Sequence, residues 1–268
     1  MIKLRFSWLG VVTFFILMIT IAPFLVIIPS SFTSENFVSF PPEGLSLKWY
    51  TGMINMPGLL DAVVFSLKLA TVTAIISTVF GTFAGLCIAK YNFKGKQTIN
   101  TLLLSPLALP SLIIGIALLV YFTYLGLAGS FTGLLLAHVL ITIPYVIRFV
   151  LTGMATFDDN FEKAAAILGA KPIRTFWDVT FPLIRSAVVS GAVFSFLISF
   201  DNVTISLFLV SAESMTLPLM IFNYIQQNLS PLISAVSTMV ILLSLIPIII
   251  LEKVYGLDRL FGLNSNSH

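Results

Sequence analysis

Long apolar stretches constrain this chain more than any other feature of its sequence. A helix needs about 20 mostly apolar residues to cross the hydrocarbon core of a membrane. Six stretches meet that requirement, at about 8–30, 62–89, 99–124, 131–151, 186–210 and 231–251. Only 9% of the 268 residues are charged, whereas soluble domains carry about 25%. We therefore predict an all-α membrane protein in which residues 1–268 form one transmembrane domain with six membrane-spanning helices.

Basic residues are distributed unevenly over the loops between these stretches. If the six stretches cross in turn, twelve of the fourteen Lys and Arg residues fall on one side, and only Lys48 and Lys68 fall on the other. Short loops rich in Lys and Arg stay in the cytoplasm. The sequence therefore predicts a multi-pass membrane protein with both termini in the cytoplasm.

The chain lacks the sequence patterns of common catalytic and nucleotide-binding sites. It has no GxxxxGK[ST] phosphate-binding loop, no HExxH zinc motif and no GxSxG nucleophile elbow. Its single cysteine, Cys87, excludes an internal disulfide and a cysteine-based metal site. For His138, within the fourth stretch, hydrogen bonding inside the helix bundle is favoured over a proton relay. We expect a protein that is not an enzyme, with no catalytic residue, metal site or bound cofactor in this chain.

Residues 156–184 interrupt the apolar sequence between the fourth and fifth stretches. Asp158, Asp159 and Asn160 suit a helix N-terminus, because such side chains accept hydrogen bonds from its free N–H groups. Apolar residues follow at helical spacing, at Phe161, Ala164, Ala165 and Leu168. Asp159 and Lys163 are spaced for an i, i+4 ion pair.

Glycine and proline mark further boundaries along the chain. Gly169 is expected to end the first helix of this segment, and Pro172 to begin a second one. Pro106 and Pro110 are expected to kink the third apolar stretch. The pattern of 156–184 thus predicts two short helices at the membrane surface. They either lie on the lipid headgroups or present their small side chains to another protein.

The string EKAAAILGAKPIRTFWDVTFPLI, residues 162–184, resembles the signature loop of permease subunits of bacterial ABC importers. That signature reads Glu-Ala-Ala, three residues, Gly, nine residues, Ile-x-Leu-Pro. The positions that fall on it are Ala164, Ala165, Gly169, Val179 and Pro182. Phe181 replaces its leucine, and Lys163 rather than Glu162 stands at its acidic position. Either Glu162 takes the role of that acid one residue earlier, or the electrostatic contact is different in this chain.

The resemblance implies the fold of a type I ABC importer permease in a bacterial inner membrane, with a cytoplasmic coupling-helix loop between the fourth and fifth spans. In this family the loop docks on a cytoplasmic ATPase homodimer, which binds ATP and Mg and transmits its closure to the spans. The docking residues implied here are Glu162, Lys163, Ala164, Ala165, Leu168, Gly169 and Pro182. The other implied partners are a second homologous permease subunit, an extracytoplasmic solute-binding protein and membrane lipid, and no nucleic acid is expected.

The stretch SFDNVTISLFL at 199–209 is most similar to the polyamine-type branch of these permeases. This similarity implies a small amine-containing solute, with 2-aminoethylphosphonate or an opine as alternatives. The expected substrate path comprises Phe200, Asp201, Asn202 and Thr204. A carboxylate inside a membrane costs about 2.5–3.5 kcal/mol on insertion scales, so Asp201 is expected to have a function. It either meets a cationic substrate or holds a structural hydrogen-bond network.

An ion-coupled secondary transporter is the alternative from a different functional class. Such transporters usually contain internal repeats or several intramembrane charges. Asp201 is the only acidic residue deep in a predicted span. A membrane scaffold without transport would leave the segment 156–184 without a purpose.

Overall fold

The computed structural model describes residues 8–211, 214–228 and 230–255, and these residues are almost entirely helical. Twelve α-helices follow one another: α1 Trp8–Ser30, α2 Lys48–Ile54, α3 Leu59–Lys90, α4 Lys96–Leu104, α5 Ser111–Tyr124, α6 Phe131–Ala155, α7 Asn160–Ile167, α8 Pro172–Thr175, α9 Phe181–Phe200, α10 Thr204–Leu209, α11 Leu217–Gln227 and α12 Leu232–Tyr255. A 3-10 turn, Ser105–Leu107, follows α4, and a π turn, Phe176–Thr180, joins α8 to α9. Within the described ranges, the only extended pairing is one bridge between Thr33 and Leu45.

The fold divides into two compact units. The first comprises the described residues up to Leu60 together with Ile221–Leu243, and the second comprises Asp61–Met220 with the described residues from Ser244 onward. The prediction of one domain over 1–268 stays a prediction. In the first unit, the Trp49 indole N–H donates to the Thr33 carbonyl at 2.9 Å, and the Ser31 and Tyr50 hydroxyls lie 2.7 Å apart.

Helices α3 and α6 form a closely packed parallel pair in the second unit. Glycine on α3 allows this approach, because a Cβ added at Gly81 would lie 2.7 Å from the Val146 Cβ, and one added at Gly85 would lie 2.9 Å from the Val150 Cβ. Small residues four apart are the usual way in which helices approach closely in membranes, where little hydrophobic driving force brings them together. The glycines of the sequence GTFAG therefore determine where α3 meets α6.

Helix α6 also packs against α9, and the core of the second unit forms around it. One cluster of buried side chains contains Leu86, Val146, Val150, Ile184 and Val188. A second cluster involves α5, α6 and α10 and contains Leu69, Ile114, Phe122, Leu134, Ala137, Ile141, Ile205 and Leu209. Helix α6 is thus the central element of this unit.

The third apolar stretch is sharply bent rather than straight. The run Lys96–Leu107 and helix α5 meet at 101°, which confirms the kink expected at Pro106 and Pro110. Five other helical runs of the described chain are long and apolar enough to cross a membrane, so the bent pair makes a sixth span if it crosses once.

Contacts towards both ends of α3 and α6 show that these two helices run parallel. Near the start of both helices the Lys68 ammonium lies 5.0 Å from the centre of the Phe131 ring. Beyond their ends, Lys90 forms an ion pair with Glu162. If both helices cross the membrane, the chain between them must return across it, and the bent pair is the part of the chain that lies there. A single crossing by the bent pair would agree with the order predicted from the sequence, and that order stays a prediction.

The fifth span has different boundaries from the predicted 186–210. Helix α9 begins at Phe181, so the last four residues of the predicted loop 156–184 belong to this helix. It ends at Phe200, and α10 is a separate short helix. The Asn202 side chain accepts a hydrogen bond from the Ile205 N–H at 2.8 Å, so it caps α10 and makes the helix restart. Hydropathy alone misses this break because apolar residues lie on both sides of it.

Candidate functional site

The connecting segment, residues 156–180 between α6 and α9, folds into two short helices as predicted. The Asp158 carboxylate accepts a hydrogen bond from the Asn160 N–H at 2.9 Å at the start of α7. At its end Gly169 adopts a left-handed φ of +84°, its N–H donates to the Ala166 carbonyl, and the Ala170 N–H donates to the Ala165 carbonyl. This pair of bonds is the Schellman motif, which favours glycine at its left-handed position. Pro172 then begins α8.

Large apolar side chains of the connecting segment face away from the chain. Ile167, Leu168 and Ile173 are 86%, 88% and 77% exposed. They follow α6 at the end where Lys90 lies, and the segment carries several charged residues, so this surface is not a lipid-facing span. An exposed apolar patch of this kind is a candidate binding surface.

The predicted docking residues divide into an exposed group and one inward-facing residue. The residues Lys163, Ala164, Leu168, Gly169 and Pro182 are exposed, and Ala165 is half-buried. The carboxylate of Glu162 instead accepts hydrogen bonds from the Lys90 ammonium and the Thr180 hydroxyl of its own chain. The i, i+4 ion pair expected between Asp159 and Lys163 is not formed among the described residues, where both side chains are exposed.

The electrostatics of Glu162 reflect these contacts. Burial by itself would raise the pKa of the Glu162 carboxyl, but the hydrogen bonds from Lys90 and Thr180 and the charge of Lys90 lower its pKa below the usual value. Lys90 and Thr180 were not predicted as site residues, since the sequence assigned Lys90 only a role in the charge distribution. Lys90 lies 72 residues before Glu162, and no local pattern indicates such a contact.

The predicted substrate-path residues lie at the break between α9 and α10. The Asp201 side chain is exposed, and Asn202 and Thr204 are half-buried. Among the described residues, none donates a hydrogen bond to the Asp201 carboxylate or forms an ion pair with it. The Phe200 ring is 3% exposed and stacks on Phe196 with a centroid distance of 5.8 Å. The break thus brings three of the four residues together and leaves the Phe200 ring in the packed interior.

A buried hydrogen-bond network lies next to this break, and it is centred on His138. The His138 ring contacts the Ser199 hydroxyl at 2.8 Å through Nδ1 and the Ser206 hydroxyl at 3.4 Å through Nε2. Ser199 precedes the break and Ser206 follows it. The Ser206 hydroxyl also donates to the Asn202 carbonyl at 2.9 Å. His138 is therefore hydrogen-bonded inside the bundle, as expected, and it joins the two helices that the break separates.

The described residues contain no group of three or more His, Cys, Asp and Glu side chains that would hold a metal ion. The predicted site residues gather at two places: an exposed apolar surface on the connecting segment, and the break between α9 and α10 where Asp201 lies.

Comparison with known proteins agrees with this arrangement. Residues 77–256 match the family described as "Binding-protein-dependent transport system inner membrane component". The chain is 30% identical over 232 residues to the spermidine/putrescine transport system permease protein PotC of Haemophilus influenzae, covering 87% of this chain and 90% of that protein. It is 32% identical over 227 residues to PotC of Escherichia coli strain K12, covering 85% and 86%.

A solved structure shares the fold. The crystal structure of a bacterial ABC transporter involved in the import of the acidic polysaccharide alginate has a chain that matches with a TM-score of 0.72 at 15% identity, covering 92% of this chain and 94% of that one. The long apolar helices, the helical connecting segment and these similarities together show that the chain belongs to the family of binding-protein-dependent transport system inner membrane components and is a permease subunit of an ABC importer.

Proposed function

We propose that this permease moves a small polyamine-like cation into the cytoplasm. The observation that carries this substrate class is the Asp201 carboxylate, exposed and unpaired among the described residues at the end of a membrane-spanning helix. A carboxylate in that position attracts an ammonium group and repels an anion. The relatives named for spermidine and putrescine transport support the same class. A different amine-containing solute, such as 2-aminoethylphosphonate or an opine, is the alternative cargo for the same machinery.

The break between α9 and α10 supports a role of Asp201 in the path. The hydrogen-bond network of this region is made by His138, Ser199, Ser206 and Asn202, without the Asp201 carboxylate. A purely structural role for Asp201 therefore lacks a described partner. Asn202 and Thr204 line the same break, and their half-buried side chains offer further polar atoms to a passing solute.

The exposed part of α7 and the turn that follows it form, in this proposal, the surface that receives a cytoplasmic ATPase homodimer. ATP and Mg bind to that partner, and this chain supplies Lys163, Ala164, Ala165, Leu168 and Gly169 as the docking surface. The exposure of Ile167, Leu168 and Ile173 supports this role, because such apolar side chains gain free energy when a partner covers them. Pro182, in the first turn of α9, is exposed beside this surface.

The rest of the proposed assembly follows from the family. A second homologous permease subunit pairs with this chain in the lipid bilayer, and an extracytoplasmic solute-binding protein delivers the substrate. Six crossings place both termini on the same side, and the twelve basic residues favour the cytoplasm for that side. The connecting segment then faces the cytoplasm, where an ATPase is accessible.

The docking proposal is tested with Gly169→Asp in the assembled importer. We expect this variant to stay in the membrane while ATP-driven uptake is lost, because the added side chain interrupts close approach of the partner. Gly95→Asp is the matched control, since Gly95 has the same φ of +84° and, like Gly169, has no atom within 4 Å of an added Cβ. Normal uptake by Gly169→Asp, or equal loss in both variants, would contradict the proposal.

A further inference from the structure

Glu162, one residue before the acidic position of the signature, faces its own chain rather than the proposed ATPase. A single oxygen of Glu162, Oε1, accepts hydrogen bonds from both the Lys90 ammonium and the Thr180 hydroxyl. The side chain of the neighbouring Lys163 is exposed and makes no ion pair with a described residue. The side chains of Lys90 and Glu162 are only 23% and 24% exposed, so this ion pair is largely shielded from solvent.

These bonds connect α3, α7 and the π turn before α9, which are separate elements along the chain. Lys90 is the last residue of α3, Glu162 lies in the first turn of α7, and Thr180 ends the π turn that leads into α9. The Lys90 ammonium also lies 5.4 Å from the centre of the Phe157 ring, just before α7. One carboxylate thus ties α7 to the ends of two membrane-spanning helices.

Helix α7 has little else that fixes it to the body of the protein. None of its residues is buried. Beneath it lies a cavity of about 740 Å³ whose lining includes Phe83, Phe157 and Phe176. Since α7 buries none of its own side chains, the bonds of Glu162 are its direct side-chain link to α3 and to the start of α9.

We propose that Lys90 and Glu162 are positioning residues, joined by Thr180, that transmit the displacement of α7 to α3 and α9. Glu162 is, in this view, an internal link and not a contact to the ATPase, and the outward charge at the docking surface is that of Lys163. This inference rests on the proposed docking of the connecting segment. It explains why a lysine can occupy the acidic position of the signature, because the acid that the fold requires lies one residue earlier and points inward.

The test is a charge exchange in the assembled importer in proteoliposomes, with uptake and ATP hydrolysis measured side by side. We expect Lys90→Met and Glu162→Gln each to lower uptake per ATP hydrolysed by a factor of about 2 to 30, the range for residues that modulate coupling between sites. The ATPase should still co-purify with both variants. The double variant Lys90→Glu with Glu162→Lys should regain most of the lost coupling, since it restores the pair with reversed charges.

Asp178→Asn is the control within the same segment. Its partner is Arg174 at 3.0 Å, but this pair is exposed and links residues of one short stretch. Loss of that pair should leave uptake per ATP hydrolysed unchanged. Full coupling in Glu162→Gln would overturn the proposal. Failure of the charge exchange to restore coupling would also overturn it, because Glu162 would then act on the partner directly.

A second readout separates this inference from the docking proposal. A double-mutant cycle measures the interaction of Lys90 with Glu162. It compares Lys90→Met, Glu162→Gln and the variant that carries both substitutions. The observable is the thermal unfolding midpoint of the detergent-solubilised importer without nucleotide. We expect the two substitutions to be non-additive. Additive effects would overturn the pair itself. If the effects are non-additive but the chain binds no ATPase, the ion pair of Lys90 and Glu162 is supported and only the docking proposal is refuted.

Discussion

The hydroxyl groups of Ser77 on α3 and Thr142 on α6 lie 2.7 Å apart at an offset of 65 residues. The same offset relates Gly81 to Val146 and, one turn further along, Gly85 to Val150. A constant offset over more than two helical turns means that the two helices run parallel and in register. This parallel pair positions the functional surfaces, because it brings the end of α3 to the connecting segment after α6.

Substitution at Gly81 tests this packing. In Gly81→Ala the new Cβ would lie 2.7 Å from the Val146 Cβ and 2.8 Å from Val146 Cγ1, so the helices must separate. We expect a loss of about 1–3 kcal/mol in the free energy of unfolding, as for other overpacked cores, measured as a lower thermal midpoint of the purified protein. Gly10→Ala on α1 is the control, because no atom lies within 4 Å of its added Cβ. Equal midpoints for the two variants would contradict the proposed packing.

Neutralising Asp201 tests the substrate path. Asp201→Asn keeps the size of the side chain and removes its charge, so we expect uptake of spermidine or putrescine to be lost at unchanged expression, because the ammonium group loses its counter-charge. Asp61→Asn serves as the matched control, since Asp61 is another exposed carboxylate, in the first turn of α3. Unchanged amine uptake by Asp201→Asn would remove this residue from the path.

The pair of Lys90 and Glu162 predicts a specific dependence on pH. Because folding lowers the pKa of Glu162 from its ordinary value of 4.5, the stabilisation is complete above that value and is lost as the pH falls through the lowered pKa. We expect the difference in thermal midpoint between the unmodified chain and Glu162→Gln to shrink as the pH is lowered from 7 to below 4. Lys90→Met should approach the unmodified chain in the same way. A difference in thermal midpoint that does not change with pH over this range would show that the Lys90 ammonium does not stabilise the Glu162 carboxylate.

Much of the connecting segment could be predicted because its helix ends depend on the conformational preferences of neighbouring residues. Gly169 ends α7 because its left-handed φ favours glycine, and Pro172 begins α8 because the first turn of a helix needs no proline N–H. The bend near Pro106 and Pro110 follows from the same local rules. Features of this kind depend on a few neighbouring residues, and a single sequence contains them.

Other features depend on contacts between distant residues, and the sequence did not predict them. The break after Phe200 is stabilised by the Asn202 cap and by His138, which joins Ser199 to Ser206 from another helix. The inward orientation of Glu162 depends on Lys90, which was recognised only as one of many basic residues. Apolar periodicity reports where helices lie, but it does not report which polar side chains meet between them.

The most direct test of the account is ATP-driven uptake by the reconstituted importer. This chain, its second permease subunit and the ATPase are placed in proteoliposomes with the solute-binding protein outside, and accumulation of radiolabelled spermidine is followed with ATP or a non-hydrolysable analogue inside. We predict accumulation with ATP only, and competition by putrescine but not by an anionic solute of similar size. Accumulation that needs an ion gradient instead of ATP, or equal competition by the anion, would contradict the account.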